Sequence, residues 1–156
     1  MPVFSVESSL SADHAQLAQD LFTMQGVNAE LSPIVRMTAP AAWAGRSIAE
    51  WPTREVLFTS TILLFGLLPI DRHRFMLESI QPHAFQETSS SLVNRAWNHQ
   101  RTIQQDDTYC VVRDVVEYVP RVALLGALMA PIYAAIFRHR HRRLKAKYGA
   151  AVQKTS

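Results

Sequence analysis

The chain has 156 residues, 48% of them apolar and 19% charged, with modest glycine and proline. That composition excludes a disordered chain, a collagen-like repeat and a disulfide scaffold, and the length suits one domain that buries roughly two-thirds of the surface its unfolded chain exposes. The net charge of +3 is uneven, because residues 138–156 hold seven of the sixteen Lys and Arg and no Asp or Glu, so a mildly acidic body carries a basic end and no nucleic-acid partner is expected.

The first ten residues, MPVFSVESSL, have no basic patch before an apolar run, and Glu7 comes early, so they do not read as a signal peptide. The lone cysteine, Cys110, cannot form an internal disulfide, which fits a reducing, cytoplasmic setting, and its neighbours Val111 and Val112 suggest a buried thiol. VFSVESSL alternates, with Val3, Ser5 and Glu7 on one side and Phe4, Val6 and Ser8 on the other, and predicts a strand. Ser11 is the expected N-cap of a helix whose Ala15, Leu17, Ala18, Leu21 and Phe22 recur at helical spacing. Gly26 is expected to break it, with a second short helix or turn before Pro33.

IVRMTAP predicts a short strand, and AAWAGRSIAEW a small-residue loop whose Trp43 and Trp51 cover an edge or a cavity mouth. REVLFTSTILLFG is β-branched and aromatic and predicts a long strand, followed by LLPID as a turn. RHRFMLESIQP, FQETSSSL, VNRAWNHQRTIQQ and YCVVRDVVEYVP continue as strands, the last two joined by a QQDDT hairpin turn. The final element is one long helix from about Leu125 to Gly149. No repeat or long linker appears, so residues 1–149 form one domain and 150–156 a flexible tail.

In that last helix Leu128, Met129, Ile132, Tyr133, Ile136 and Phe137 occupy several faces, while beyond Arg138 only Leu144 and Tyr148 keep an apolar stripe. A helix hydrophobic all round is buried or sits in lipid. The uncharged run Val122–Phe137 is interrupted by Pro131 and falls short of the ~20 residues a membrane span needs. The first half is therefore expected inside a curved sheet and the basic half in solvent, where it suits the negative end of the helix dipole. A strand, short helices, a run of strands and a long helix indicate an α+β fold, with the antiparallel sheet wrapped around the C-terminal helix.

This order resembles the SRPBCC, or START-like, helix-grip superfamily, and in particular its small bacterial ligand-binding, polyketide-cyclase-like members. AWNHQRTI is similar to that group's Trp-x-His-x-His-x-Phe strand at Trp97 and His99, with Arg101 where a second His is usual and Ile103 where an aromatic is. VVRDVVEYVP resembles its Asp-x-Val-x-Tyr-x-x-Pro ending at Asp114, Val116, Tyr118 and Pro120, with a shorter gap before the proline, and IFRHRHRRLKAKYG resembles the end of its C-terminal helix. The link PRVALLGALMAP is shorter and greasier than usual. The resemblance implies a mostly apolar cavity between sheet and helix, and no particular reaction.

Trp97, His99, Arg101 and Ile103 share one strand face, and Asp114 falls on the neighbouring strand. Facing inward, His99, Arg101 and Asp114 would anchor a ligand, let His99 and Asp114 act as acid and base in a cyclase- or aromatase-like reaction, or simply satisfy one another. Met37, Met129, Ile132 and Tyr133 are the candidate apolar lining, with Trp97, His99 and Arg101 beside them. No cofactor is expected. No metal is expected either, because His139 and His141, two apart on a helix, cannot share an ion. The serines of ETSSSL lack the surroundings of a nucleophile. The expected partner is a small hydrophobic ligand, with weak contact to an anionic surface through Arg138, Arg140, Arg142 and Arg143 as a further option. The chain would be a monomer or homodimer, and an interaction module with a filled core is the other class open.

Overall fold

The computed structural model describes residues 1–151. β1 (Val3–Leu10) leads into α1 (His14–Leu21), α2 (Met24–Leu31), β2 (Val35–Met37), the short α3 (Ala41–Ala44) and a 3-10 turn at Ile48–Glu50. Then come β3 (Val56–Leu64), β4 (Leu68–Gln81), β5 (Ala84–Ser91), β6 (Asn94–Asp106), β7 (Tyr109–Pro120) and α4 (Ala123–Tyr148). The strands form one antiparallel sheet in the order β1-β7-β6-β5-β4-β3-β2. Register shifts at Val56/Phe58, Ile62/Leu63, Leu77/Ser79 and Asn94/Ala96 bend it, since each extra residue kinks its strand and increases the twist. The result is the α+β helix-grip arrangement, a curved sheet wrapped around α4.

Period-two alternation sets the inner face, which carries Ser8 and Leu10 of β1, His73, Phe75 and Leu77 of β4, and Phe85, Glu87, Ser89 and Ser91 of β5. His99, Arg101 and Ile103 of β6 and Cys110, Val112, Asp114, Val116 and Tyr118 of β7 continue it. Leu10, Leu17, Phe22, Leu77, Phe85, Val112 and Leu144 belong to one apolar core, which also takes in Trp51 against Phe58 and Phe75 and half-buried Trp43. A second, smaller core joins Val116, Tyr118, Tyr133 and Phe137. Cys110 is buried, with its thiol 3.4 Å from Gln105 Oε1.

Several local expectations are corrected. α1 is capped by Asp13, whose Oδ2 accepts from the backbone N–H groups of Ala15 and Gln16, a stronger acceptor at a helix start than a hydroxyl. Ser11 instead donates its backbone N–H to Gly149 O, tying β1 to the end of α4. Gly26 lies inside α2; a Cβ there would sit 2.2 Å from Asp20 O, so the glycine permits the close crossing of α1 and α2. The helix break falls earlier, where Thr23 Oγ1 caps α2. LLPID is mostly strand, because the chain reverses at Phe65 and Gly66, both with positive φ, and Leu67 N donates to Leu64 O. Beyond Gly149, Ala150 bridges Leu10 and Ala151 N donates to Ser9 O, while 152–156 of the expected tail lie outside the described residues.

The largest correction concerns α4, in which each half is part buried and part exposed. Its apolar half exposes Leu124 (72%), Leu128 (60%) and Ile132 (47%), at i, i+4 and i+8 on one stripe. Ala123, Ala127, Pro131 and Ala135 are exposed beside them. Its basic half buries Arg140, His141 and Leu144. Residue type misleads here because Arg140 and His141 find carboxylates inside the protein, whereas the first half touches the sheet only through one side. Gly126 seats that side, since a Cβ there would meet Pro120 Cγ at 2.4 Å. α4 rests on β1, β7 and α2.

Candidate functional site

Between the two apolar cores lies a buried charged layer. Arg101 and Asp114 are register partners on β6 and β7. Arg101 donates to Asp114 Oδ1 from Nε at 2.7 Å and to Oδ2 from Nη2 at 2.6 Å. The same guanidinium reaches Glu30 of α2 through Nη1 and Nη2, at 2.8 and 2.7 Å. Arg140 of α4 adds a contact to Glu30 Oε1 at 3.3 Å. Asp114 also takes His99 Nε2 at 2.7 Å and His141 Nε2 at 2.8 Å, so all four of its acceptor directions are used. His141 Nδ1 lies 2.7 Å from Ser8 Oγ.

His99 Nδ1 faces Glu87 Oε2 at 3.5 Å, and Glu87 Oε1 is held by His73 Nε2 at 2.5 Å. Burial pulls the His99 imidazole down, but hydrogen bonds to Asp114 and Glu87 outweigh it and hold the group above its ordinary value. Burial likewise pushes the Asp114 carboxyl up, and Arg101 overrides this to keep it well below the usual carboxylate range. Glu30, against Arg101 and Arg140, and Glu87, against His73 and His99, are depressed for the same balance of reasons. His99 thus stands between two carboxylates, Asp114 and Glu87. A carboxylate on each ring nitrogen asks both to donate, which leaves His99 no lone pair for a substrate proton. The layer ties α2, α4, β1 and the sheet together.

Toward the other end of the cup the inner face is polar in a different way. Ser60 pairs with His73, and His73 with Ser91, whose Oγ accepts from Asn94 N at 3.0 Å. A row of short polar side chains thus crosses β3 to β6. Asn94 Nδ2 lies 2.7 Å from Tyr133 Oη of α4, but Asn94 Oδ1, in a side chain left 2% exposed, has no partner, and neither has Ser60 Oγ. Burial raises the Tyr133 phenol, with the Asn94 hydrogen bond opposing, so at neutral pH its proton is kept. Trp97 and Tyr118 each stand with ring centroids 5.0 Å from Tyr133.

The structure therefore brings Trp97, His99, Arg101, Asp114 and Tyr133 to the inner face, in two distinct settings. His99, Arg101 and Asp114 are locked in the charged layer, whereas Trp97 and Tyr133, with half-buried Met129 beside them, line the Asn94 end. Ile132 faces solvent, turned outward by the helical phase that turns Tyr133 in. Met37 sits elsewhere, in a surface cleft of about 470 Å³ between α2, β2 and α3. A second surface cleft, about 310 Å³, separates α1 and α2 from the end of α4 beside Arg143, Lys147 and Tyr148. Neither cleft has Asn94 or Tyr133 in its lining. The four arginines of the basic end form no single patch: Arg140 is buried on Glu30, Arg143 Nε donates to Ala29 O, and Arg138 and Arg142 are exposed.

Sequence reasoning missed Glu30, His73, Glu87, Asn94, Arg140 and His141. Glu87 and His73 carried a signal, since each stands in the apolar phase of its strand beside Phe85 and Phe75. Glu30, Arg140 and His141 had none, because only the docking of α4 on α2, β1 and β7 brings them to their partners. Among the described residues no group of His, Cys, Asp and Glu is arranged to hold a metal ion.

The family described as Domain of unknown function (DUF8410) matches residues 8–148. The chain belongs to that family. No curated protein matches this DUF8410 chain. Among solved structures it is similar to protein CV1439 from Chromobacterium violaceum, at TM-score 0.70 and 11% identity over 96% of this chain and 98% of that one. It is similar to XoxI from Bacillus cereus, at TM-score 0.65 and 10% identity over 95% and 96%. A START superfamily protein from Mycobacterium smegmatis follows at TM-score 0.63 and 6% identity over 94% and 96%. At these identities the likeness shows the helix-grip fold of the DUF8410 chain and nothing finer.

Proposed function

We propose that the protein binds a small, mainly apolar molecule bearing one uncharged polar group, held between the N-terminal half of α4 and the inner faces of β3 to β6. The observation that carries this reading is the Asn94–Tyr133 pair. A buried amide oxygen without a partner costs about 1–3 kcal/mol, a cost a ligand group can relieve. Whichever way the amide is turned, the pair keeps at least one donor and one acceptor to offer, the complement of a hydroxyl or a primary amide. A carboxylate ligand fits poorly, since Arg101 is already engaged by Glu30 and Asp114 and would leave that charge unpaired. Access is favoured because Pro131 donates no backbone hydrogen bond within α4 and the outer face of this half packs on nothing among the described residues. The cyclase-like alternative through His99 loses support, as both ring nitrogens are occupied by carboxylates.

The test is displacement of an environment-sensitive hydrophobic dye by a long-chain alcohol and by the carboxylate of equal length. The alcohol should compete about tenfold better, and Asn94→Leu should remove that preference. A dye that binds neither saturably nor competitively contradicts the reading.

A further inference from the structure

Nine of the twelve exposed large apolar residues among those described lie toward one end of the sheet or on the adjoining half of α4. Phe65 and Leu67 of the β3–β4 turn are 66% and 85% exposed, and Leu68 and Ile70 at the start of β4 are exposed beside them. Leu92 of the β5–β6 turn, Val122, and the Leu124–Leu128–Ile132 stripe of α4 complete the group. Antiparallel order places these turns and the start of α4 at the same end, and hydrogen bonds join them. Leu92 N donates to Asp71 Oδ1 of β4, while Arg121 donates from its backbone N to Val93 O and from Nε to Ser91 O. These bonds hold the β5–β6 turn against β4 and the start of α4 against the β5–β6 turn, so the exposed apolar residues lie on adjoining segments. A contiguous apolar patch on a folded protein marks an interaction site.

Phe65 adds a second, independent observation. It occupies a left-handed position, φ 52, before Gly66, φ 72, in the three-residue turn 65–67 between the paired Leu64 and Leu68, where two successive positive φ values favour Asn-Gly. A bulky aromatic there is sterically disfavoured and gains no compensating burial within this chain.

The charge around the patch decides what it meets. Exposed Arg36, Arg72, Arg95 and Arg121 flank it, and the nearby carboxylate Asp71 is already engaged by the backbone N–H groups of Arg72 and Leu92. Two copies face to face would oppose these arginines, whereas an anionic bilayer complements them and accepts the apolar side chains between its headgroups. No helix among the described residues is long and apolar enough to cross a membrane. We propose that this end of the sheet, with the β3–β4 turn and the outer stripe of α4, docks on the surface of an anionic lipid bilayer. The proposal stands whether or not the cup takes a ligand.

The experiment is flotation of the full chain with vesicles of phosphatidylcholine alone, and with vesicles of two parts phosphatidylcholine to one part phosphatidylglycerol. Light scattering of the protein without vesicles runs alongside. Binding should be at least about tenfold stronger to the anionic vesicles and should fall in about 1 M salt, where the screening length is about 3 Å. Phe65→Asn with Leu67→Ser, and separately Leu124→Ser with Leu128→Ser, should each weaken it about tenfold or more while the fold is retained, because all four side chains are exposed. Absence of vesicle binding, equal binding to both compositions, or undiminished binding by both variants would overturn the proposal. So would a dimer that these substitutions dissociate, which would make a second copy the occupant.

Discussion

Arg101 and Asp114 stand directly opposite each other on β6 and β7, joined by two hydrogen bonds of 2.6 and 2.7 Å, with neither side chain reaching solvent. Each is tolerable inside the protein only because of the other and of Glu30, His99 and His141. Removing one member leaves the remaining charges buried without compensation, which costs about 3–5 kcal/mol. Asp114→Asn should therefore lower the unfolding free energy by about 3 kcal/mol or more in a urea titration. A loss below about 1 kcal/mol would mean that the layer does not hold the fold.

The pH dependence of stability follows from the same groups. His99 is raised above its ordinary 6.5, so its contribution is complete below that value and is lost as pH rises through the folded-state value. Asp114, Glu30 and Glu87 are depressed from 3.8, 4.5 and 4.5, so theirs are complete above those values and lost as pH falls through the folded-state ones. Stability should be greatest between about pH 5 and 6.5 and decline on both sides. His99→Gln should remove most of the alkaline decline and leave the acid one. An alkaline limb unchanged in that variant would assign it to another group.

Arg138 and Arg140, two residues apart in the same basic run, should behave differently. Arg138 is exposed, and Arg138→Ala should change stability by no more than about 0.5 kcal/mol. Arg140 is buried against Glu30 with its guanidinium 4.9 Å from the Phe137 ring centroid, and Arg140→Ala should cost about 2 kcal/mol. Equal effects in thermal melts would contradict the burial of this half of α4.

Phe65→Asn should stabilise the protein by up to about 1 kcal/mol, because Asn tolerates the left-handed conformation that Phe resists. The readout is the urea midpoint. A destabilised variant would show that the Phe65 ring is packed rather than free.

The fold was legible because its strands alternate cleanly. The period put Trp97, His99, Arg101 and Ile103 on one face and Asp114 on the neighbouring strand, and left open which way that face turned; the structure turns it inward. What the chain could not declare was which residues of each half of α4 are buried. Leu124, Leu128 and Ile132 read as core by residue type, and Arg140 and His141 as surface. The carboxylates that reverse this, Glu30 and Asp114, come from elements far away in the chain. Asn94 was invisible for a similar reason, since its meaning depends on Tyr133 of α4 arriving within 2.7 Å.

The most direct test of the ligand reading is a backbone amide NMR titration of the protein with a long-chain alcohol. Binding at the Asn94 end of the cup predicts saturable shifts concentrated in residues 89–98 and 126–137, reduced in Asn94→Leu. Shifts confined to residues 24–45, around the cleft that holds Met37, or to residues 20–30 and 143–148, around the other cleft, would contradict it. So would a spectrum that does not change at all.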